Sequence, residues 1–313
     1  MKKHFTDRLI GAIRKKKNPI CVGLDPRLSQ VPQFIKKKII EEKGRSHEAA
    51  AHALLEFNKG IISAVYDLVP VVKPQIAFYE QYGFAGMWAF EETCKYAEEK
   101  GLLVIADAKR NDIGSTADAY AEAFLGTVDI FGEEVITYDV DALTVTPYLG
   151  FDGVKPFIET ARKYGKGIFI LVKTSNPSSG DLQNQEVCSK KIPVYELMAD
   201  FVESWGNDDI GEEGYSFVGA VVGATYPKEA QLLRKRMPKN FFLVPGYGAQ
   251  GGKAQDVKTC FNKDGLGAIV NSSRGIIFAY ENSHTYTEKD YATATRSAVM
   301  KMHEDLKEVG VAE

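Results

Sequence analysis

Histidine is scarce in this chain and poorly placed for catalysis. There are five, His4, His47, His52, His284 and His303, and all lie near predicted helices, loops or termini rather than at the end of a predicted strand. That argues against a histidine general base or a His-ligated zinc site. Cysteine is as sparse. Cys21, Cys94, Cys188 and Cys260 form no CxxC or CxxH pair at metal spacing and read as reduced, mostly buried thiols of a cytoplasmic protein. Net charge is nearly absent: 39 basic against 42 acidic residues leave a formal −3, which gives no general reason to bind nucleic acid or an anionic membrane. Any anion must be caught locally. No apolar run reaches the roughly 18 residues a membrane span needs. The basic opening MKKHFTDRLIGAIRKKK has neither an apolar h-region nor a small-residue cleavage site, so it reads as an N-terminal helix over about Phe5 to Lys16 rather than an export signal. No Pro/Gly/Ser-rich linker or shift of composition divides the chain, and residues 1–313 are expected to form one domain.

What is present is a 44% hydrophobic composition arranged in repeats. Eight β-branched apolar runs alternate with helix-period segments: PICVGLD (19–25), LVPVVKPQ (68–75), LLVIADAK (102–109), ALTVTPY (142–148), GIFILVKTS (167–175), FVGAVVGAT (217–225), FFLVPGYG (241–248) and GAIVNSS (267–273). Near-continuous apolar strands alternating with helices indicate a parallel sheet with covered faces. Eight such units fit a (β/α)8 TIM barrel, an α/β fold of about 250 residues, and leave roughly sixty for additions. These are assigned to the N-terminal helix and to insertions after strands 1, 3 and 5; a doubly wound open sheet is the alternative. A closing helix is expected over about Glu288 to Glu308.

In such a barrel the carboxyl ends of the strands carry the chemistry. The first strand ends at Asp25, the second carries Lys73, the third carries Asp107 and Lys109 and is followed by Asp112, and the fifth ends with Lys173, Thr174 and Ser175. Asp107 and Lys109 are two apart on a strand and share a face. With Asp25 and Lys73 they place two acids and two bases around one mouth, either as a structural ion-pair network or as a functional cluster; their position at the rim favours the second. Carboxylates beside Lys109 favour its ammonium form, whereas a Schiff-base lysine must be neutral, so Lys109 reads as a proton donor. The loops after strands seven and eight, PGYGAQGG with Gln250 and SSRG with Arg274, are where barrels commonly hold a phosphate on clustered N–H groups and a helix N-terminus. Arg110 has no catalytic role in this reading and is assigned to solvent or an interface.

The stretch DAKRNDIGSTA resembles the DxKxxDI(x)2T signature of the orotidine 5′-phosphate decarboxylase family, with Asp107, Lys109, Asp112, Ile113 and Thr116 in matching positions. GLDP (23–26), VVKPQIAFYE (71–80), VKTSNPSS (172–179), VPGYGAQGG (244–252) and NSSRGI (271–276) are similar to that family's other strand ends, in the same order. The long additions after strands one and five resemble the longer bacterial, type 2 subgroup.

The resemblance implies a carboxy-lyase of pyrimidine biosynthesis, converting orotidine 5′-phosphate to UMP without metal or other cofactor. Lys109 would protonate C6 of the pyrimidine and Asp107 would stand near the substrate carboxylate. Asp25 and Lys73 would bind the ribose hydroxyls, Ser175 the pyrimidine, and Pro245, Gln250 and Arg274 the phosphate. Asp112 and Thr116, with Ile113, would be lent across a homodimer interface. The implied partners are thus the substrate, the product and a second copy, with no nucleic acid and no membrane. Three alternatives stay open: a metal-dependent sugar-phosphate decarboxylase or synthase of the same barrel lineage, a Schiff-base aldolase, and a non-catalytic nucleotide-phosphate binding protein.

Overall fold

A computed structural model describes residues 3–311. Twelve strands are present among these residues: β1 Ile20–Leu24, β2 Val71–Pro74, β3 Leu103–Arg110, β4 Val128–Ile130, β5 Glu133–Val135, β6 Ala142–Val145, β7 Gly167–Lys173, β8 Glu186–Val187, β9 Ile192–Pro193, β10 Ser216–Val222, β11 Asn240–Val244 and β12 Ala268–Ser272. Eight of them, β1, β2, β3, β6, β7, β10, β11 and β12, close in that order into a barrel in which every neighbouring pair is parallel. They are the eight apolar runs read from the sequence, trimmed by a few residues at their ends. β10, β11 and β12 are buried along their whole length, as expected of strands enclosed by side chains inside and helices outside.

The helices are α1 Phe5–Lys16, α2 Gln33–Lys43, α3 His47–Val65, α4 Ala77–Glu80, α5 Gly83–Glu99, α6 Gly114–Leu125, α7 Phe151–Tyr164, α8 Gly180–Gln183, α9 Val194–Gly206, α10 Pro227–Arg236, α11 Ala254–Val257, α12 Arg274–Ile277 and α13 Tyr291–Glu308. The predicted N-terminal helix forms over the expected residues. Asp7 in its first turn and Arg14, Lys15 and Lys16 in its last complement the helix dipole. Its apolar face buries Phe5, Leu9, Ile10 and Ile13, each such side chain contributing about 1.5–3 kcal/mol. Phe5 meets Phe169 of β7 edge to face at 6.0 Å. The Thr6 hydroxyl donates to the Tyr215 carbonyl at 2.9 Å, and Asp7 accepts from the amides of Glu212 and Glu213. The helix thereby covers the amino ends of β7 and β10 and leaves the opposite mouth open.

The surplus length lies where the sequence placed it. α2 packs on α3 after β1; β4 and β5 form an antiparallel hairpin before β6; α8 and the β8–β9 hairpin follow β7. α13 closes the chain against α3 and α12.

Candidate active site

Four strand ends converge on one cluster at the open mouth. Gly23 and Leu24 of β1 pair with Lys73 and Pro74 of β2, so Asp25 leaves the barrel beside Lys73. The next strand supplies Asp107. The Lys73 ammonium donates to Asp107 Oδ2 at 2.6 Å, the Lys109 ammonium donates to Oδ1 at 2.6 Å, and the Thr144 hydroxyl from β6 adds a third donor to Oδ1 at 3.0 Å. Lys73 and Asp107 are buried, while the Lys109 side chain is 45% exposed toward the cavity mouth.

Simple strand alternation does not deliver this geometry. Between Ala106, paired with Leu143, and Arg110, paired with Val145, β3 carries two more residues than β6 does. Lys109 absorbs the bulge with a left-handed φ of 48°, its amide donating to Thr144 Oγ1 at 2.9 Å. Such a conformation is costly for a residue with a Cβ and is kept only where surrounding contacts over-determine it. Asp107 and Lys109 do share a face, but through the bulge.

Burial and neighbouring charge pull these groups in different directions. Burial alone would raise the Asp107 carboxyl, yet the ammoniums of Lys73 and Lys109 hold it well below the ordinary carboxylate range. Burial opposes charge on Lys73 too, but Asp107 and Asp25 raise its ammonium above the ordinary lysine value. For Asp25 burial prevails and lifts the carboxyl, with Lys73 and Ser273 opposing. Asp25 Oδ1 is buried and has no hydrogen-bond partner among the described residues, which leaves an acceptor in the lining of the cavity. The approach of β12 to this point needs Gly23: a Cβ there would stand 1.9 Å from Ser273 Oγ.

The opposite wall comes from β7, β11 and β12. The loop after β11 folds on itself through Gly252 N donating to Gly246 O and Gly248 N donating to Gly252 O, at 3.0 and 2.9 Å. Gly246 takes φ 101°, and a Cβ on it would press on Gln250 Oε1 and Ser175 Cβ, both at 3.2 Å. This close approach brings Ser175, Pro245 and Gln250 together, with Arg274 opening the single turn of α12. The expected helix N-terminus after the eighth strand is only that turn, so Arg274 and the loop supply the donors. The walls enclose about 570 Å³, lined by Asp25, Lys73, Asp107, Lys109, Ser175, Pro245, Gln250 and Arg274, a volume suited to a nucleotide-sized ligand.

Three expected residues lie outside this cavity. Asp112 caps its own neighbour, accepting from Ile113 N at 2.8 Å. Ile113 is 53% exposed and Thr116 faces outward at the start of α6. Arg110 is not free in solvent. It pairs with Glu80 and lies over the rings of Tyr120 and Phe124, tying the end of β3 to α4 and α6. Lining residues that sequence reasoning missed include Gln75, Thr144, Asn271 and Ser273. Two residues beyond Lys73, strand alternation could have flagged Gln75; nothing marked Thr144, Asn271 or Ser273.

Comparison with known proteins points one way. The family model described as "Orotidine 5'-phosphate decarboxylase / HUMPS family" matches residues 18–288. The Rhodopirellula baltica protein named orotidine 5′-phosphate decarboxylase is 46% identical over 306 residues, covering 97% of this chain and 99% of its own. A Caldicellulosiruptor saccharolyticus protein of the same name is 44% identical over 295 residues, covering 94% and 96%. Among solved structures, Leishmania donovani OMP decarboxylase superposes with a TM-score of 0.72 at 29% identity, over 98% of both chains.

Proposed function

Because the chain belongs to the orotidine 5′-phosphate decarboxylase / HUMPS family, we propose that it decarboxylates orotidine 5′-phosphate to UMP, with Lys109 as the proton donor to C6 and no metal or organic cofactor. The observation that carries this reading is the Lys109 ammonium held 2.6 Å from Asp107 on a strained backbone. The strain and the ion pair fix one N–H donor beside a carboxylate in a site that otherwise alternates acid and base.

The chemistry follows from those charges. Gln250, Arg274 and the loop after β11 hold the phosphate, Asp25 and Lys73 take the ribose hydroxyls, and Ser175 meets the pyrimidine. This places the substrate carboxylate against Asp107, whose ionised form repels it in the ground state. As the C6–carboxylate bond breaks, CO2 leaves and its electron pair stays at C6. That developing carbanion lies beside the Lys109 ammonium, which stabilises it and then gives it a proton. General-acid help supplies about 10²- to 10⁴-fold, so preorganised charge and the binding energy of the remote phosphate carry the rest. The two cluster carboxylates are engaged or flanked by ammoniums, with Lys73 at 2.6 Å from Asp107, a donor set that suits a proton transfer better than a divalent cation.

Asp112, Ile113 and Thr116 complete the neighbouring site of a homodimer in this reading. Their outward placement supports it, as does the exposed side chain of Leu149, which meets the same face of Gly153 as Asp112 does. We further propose a single-domain protein, which the one closed barrel supports, and a cytoplasmic one, which its three buried free thiols support.

The direct test follows the loss of orotidine 5′-phosphate absorbance with and without EDTA. The wild type should turn over equally in both, and Lys109→Ala should lose about 10²-fold or more. Turnover of Lys109→Ala near the wild-type rate would overturn the assignment.

A further inference from the structure

β7 ends in a lysine that the chemistry above does not use. Lys173 is 0% exposed, and among the described residues no carboxylate pairs with it. Its ammonium instead donates to Asn184 Oδ1 at 2.8 Å and Ser179 Oγ at 3.3 Å. It lies 4.3 Å from the ring centroid of Tyr226 and 5.4 Å from that of Tyr195. Burying an ammonium without a counter-ion is unfavourable, and an apolar side chain would fill the same space without that cost. Burial pulls the Lys173 ammonium below the ordinary lysine value, with Glu229 opposing, and what the position offers the charge in return is two oxygens turned to it and two aromatic faces.

What those oxygens belong to gives the charge a purpose. Ser179 and Asn184 both lie in the segment that follows β7 and lines the cavity with Ser175, Asn176, Ser178, Leu182 and Gln183. The segment is closed at its base, where Thr174 N donates to Gln183 Oε1 at 3.0 Å and Gln183 Nε2 donates to Thr174 Oγ1 at 2.8 Å. The Ser179 hydroxyl donates to Tyr226 Oη, and the Tyr226 hydroxyl donates to the Asn176 carbonyl, each at 3.2 Å. Residues 174–184 thus form a compact loop with joined ends, and the buried ammonium holds its middle and far end to the barrel.

We propose that Lys173 is a positioning residue whose buried ammonium anchors the loop 174–184 over the cavity, so that Ser175 is presented to the pyrimidine before the substrate arrives. The proposal rests on the reading of the cavity as the decarboxylation site. Pre-ordering the loop lowers the conformational cost of binding. Loss of the anchor therefore acts on KM more than on kcat.

The test uses full-length Lys173→Met, which keeps length and removes charge, and Asn184→Ala, which removes an exposed acceptor without touching the barrel. In the ligand-free protein, amides of residues 174–184 should exchange about tenfold faster in either variant, with the barrel strands unchanged. KM for orotidine 5′-phosphate should rise about tenfold and kcat should change less than about threefold. In a Ser175→Ala background either substitution should cost less than about threefold further, because both act through the same residue. Unchanged loop exchange, or losses that multiply fully in the double variants, would overturn the proposal. Should Lys173→Met not fold, Asn184→Ala decides by the same criteria. A wild type that fails to decarboxylate would refute the reading of the site, while the exchange measurement would still judge the anchor.

Discussion

Replacing Asp107 by asparagine keeps the side-chain volume and removes one charge from a cluster that is neutral as built, Asp25 and Asp107 against Lys73 and Lys109. The Lys73 ammonium, with its side chain 5% exposed, loses the carboxylate 2.6 Å away, and Lys109 loses its partner at the same distance. Breaking a buried ion pair by removing one partner costs about 3–5 kcal/mol. Lys109 is half open to water and rehydrates, and Asp25 still faces Lys73, so the low end, about 3 kcal/mol, is expected. In a chain of this length that corresponds to a fall of about 5 °C in Tm, measurable by thermal and urea unfolding at pH 7. The pH dependence gives a second signature. Against burial, the two lysines depress the Asp107 carboxyl, so its contribution to stability is fully present above the ordinary carboxylate value of about 4 and is lost as pH falls toward the lower folded value. The stability gap between wild type and Asp107→Asn should be constant from neutral pH down to about 5 and shrink below about 4. A variant as stable as wild type at pH 7, or a gap unchanged in acid, would refute the claim that both ammoniums hold this carboxylate in the folded protein.

Two further outcomes follow from the site. Inactive Asp112→Ala and inactive Lys109→Ala chains, mixed in equal amounts under subunit exchange, should recover about a quarter of wild-type activity, since about half the dimers are mixed and each has one intact site; no recovery despite demonstrated exchange would rule out shared sites. Arg274→Ala removes the charged fork at the phosphate end, worth about 1.5–3 kcal/mol, and should lower kcat/KM about 10- to 150-fold, with much of the loss in KM; an unchanged KM would place the phosphate elsewhere.

Much of this molecule is legible in its sequence for one physical reason. A parallel barrel turns all its strand ends to the same mouth, so reading only the residues that follow each apolar run collects Asp25, Lys73, Asp107, Lys109, Ser175, Gln250 and Arg274 without any knowledge of distance. The N-terminal helix was as readable, because amphipathic period and terminal charges are local properties. The contacts of Arg110 are not legible in this way, because its partners, Glu80, Tyr120 and Phe124, come from two helices whose packing no local pattern specifies.

Sequence by itself therefore determined which residues could do chemistry and on which rim they stand. Only the tertiary structure decided how they are held. The two extra residues in β3 and the left-handed backbone of Lys109 set the Asp107 geometry, and the tight passage at Gly23 brings Ser273 against Asp25. Thr144 acts as a third donor to Asp107 because of β6 register, and Lys173, which stands on the same kind of strand end as Lys73, is turned into an aromatic cage instead of the cavity. Periodicity encodes the direction a strand takes, whereas a bulge, a close approach or a cage depends on neighbours distant in the chain.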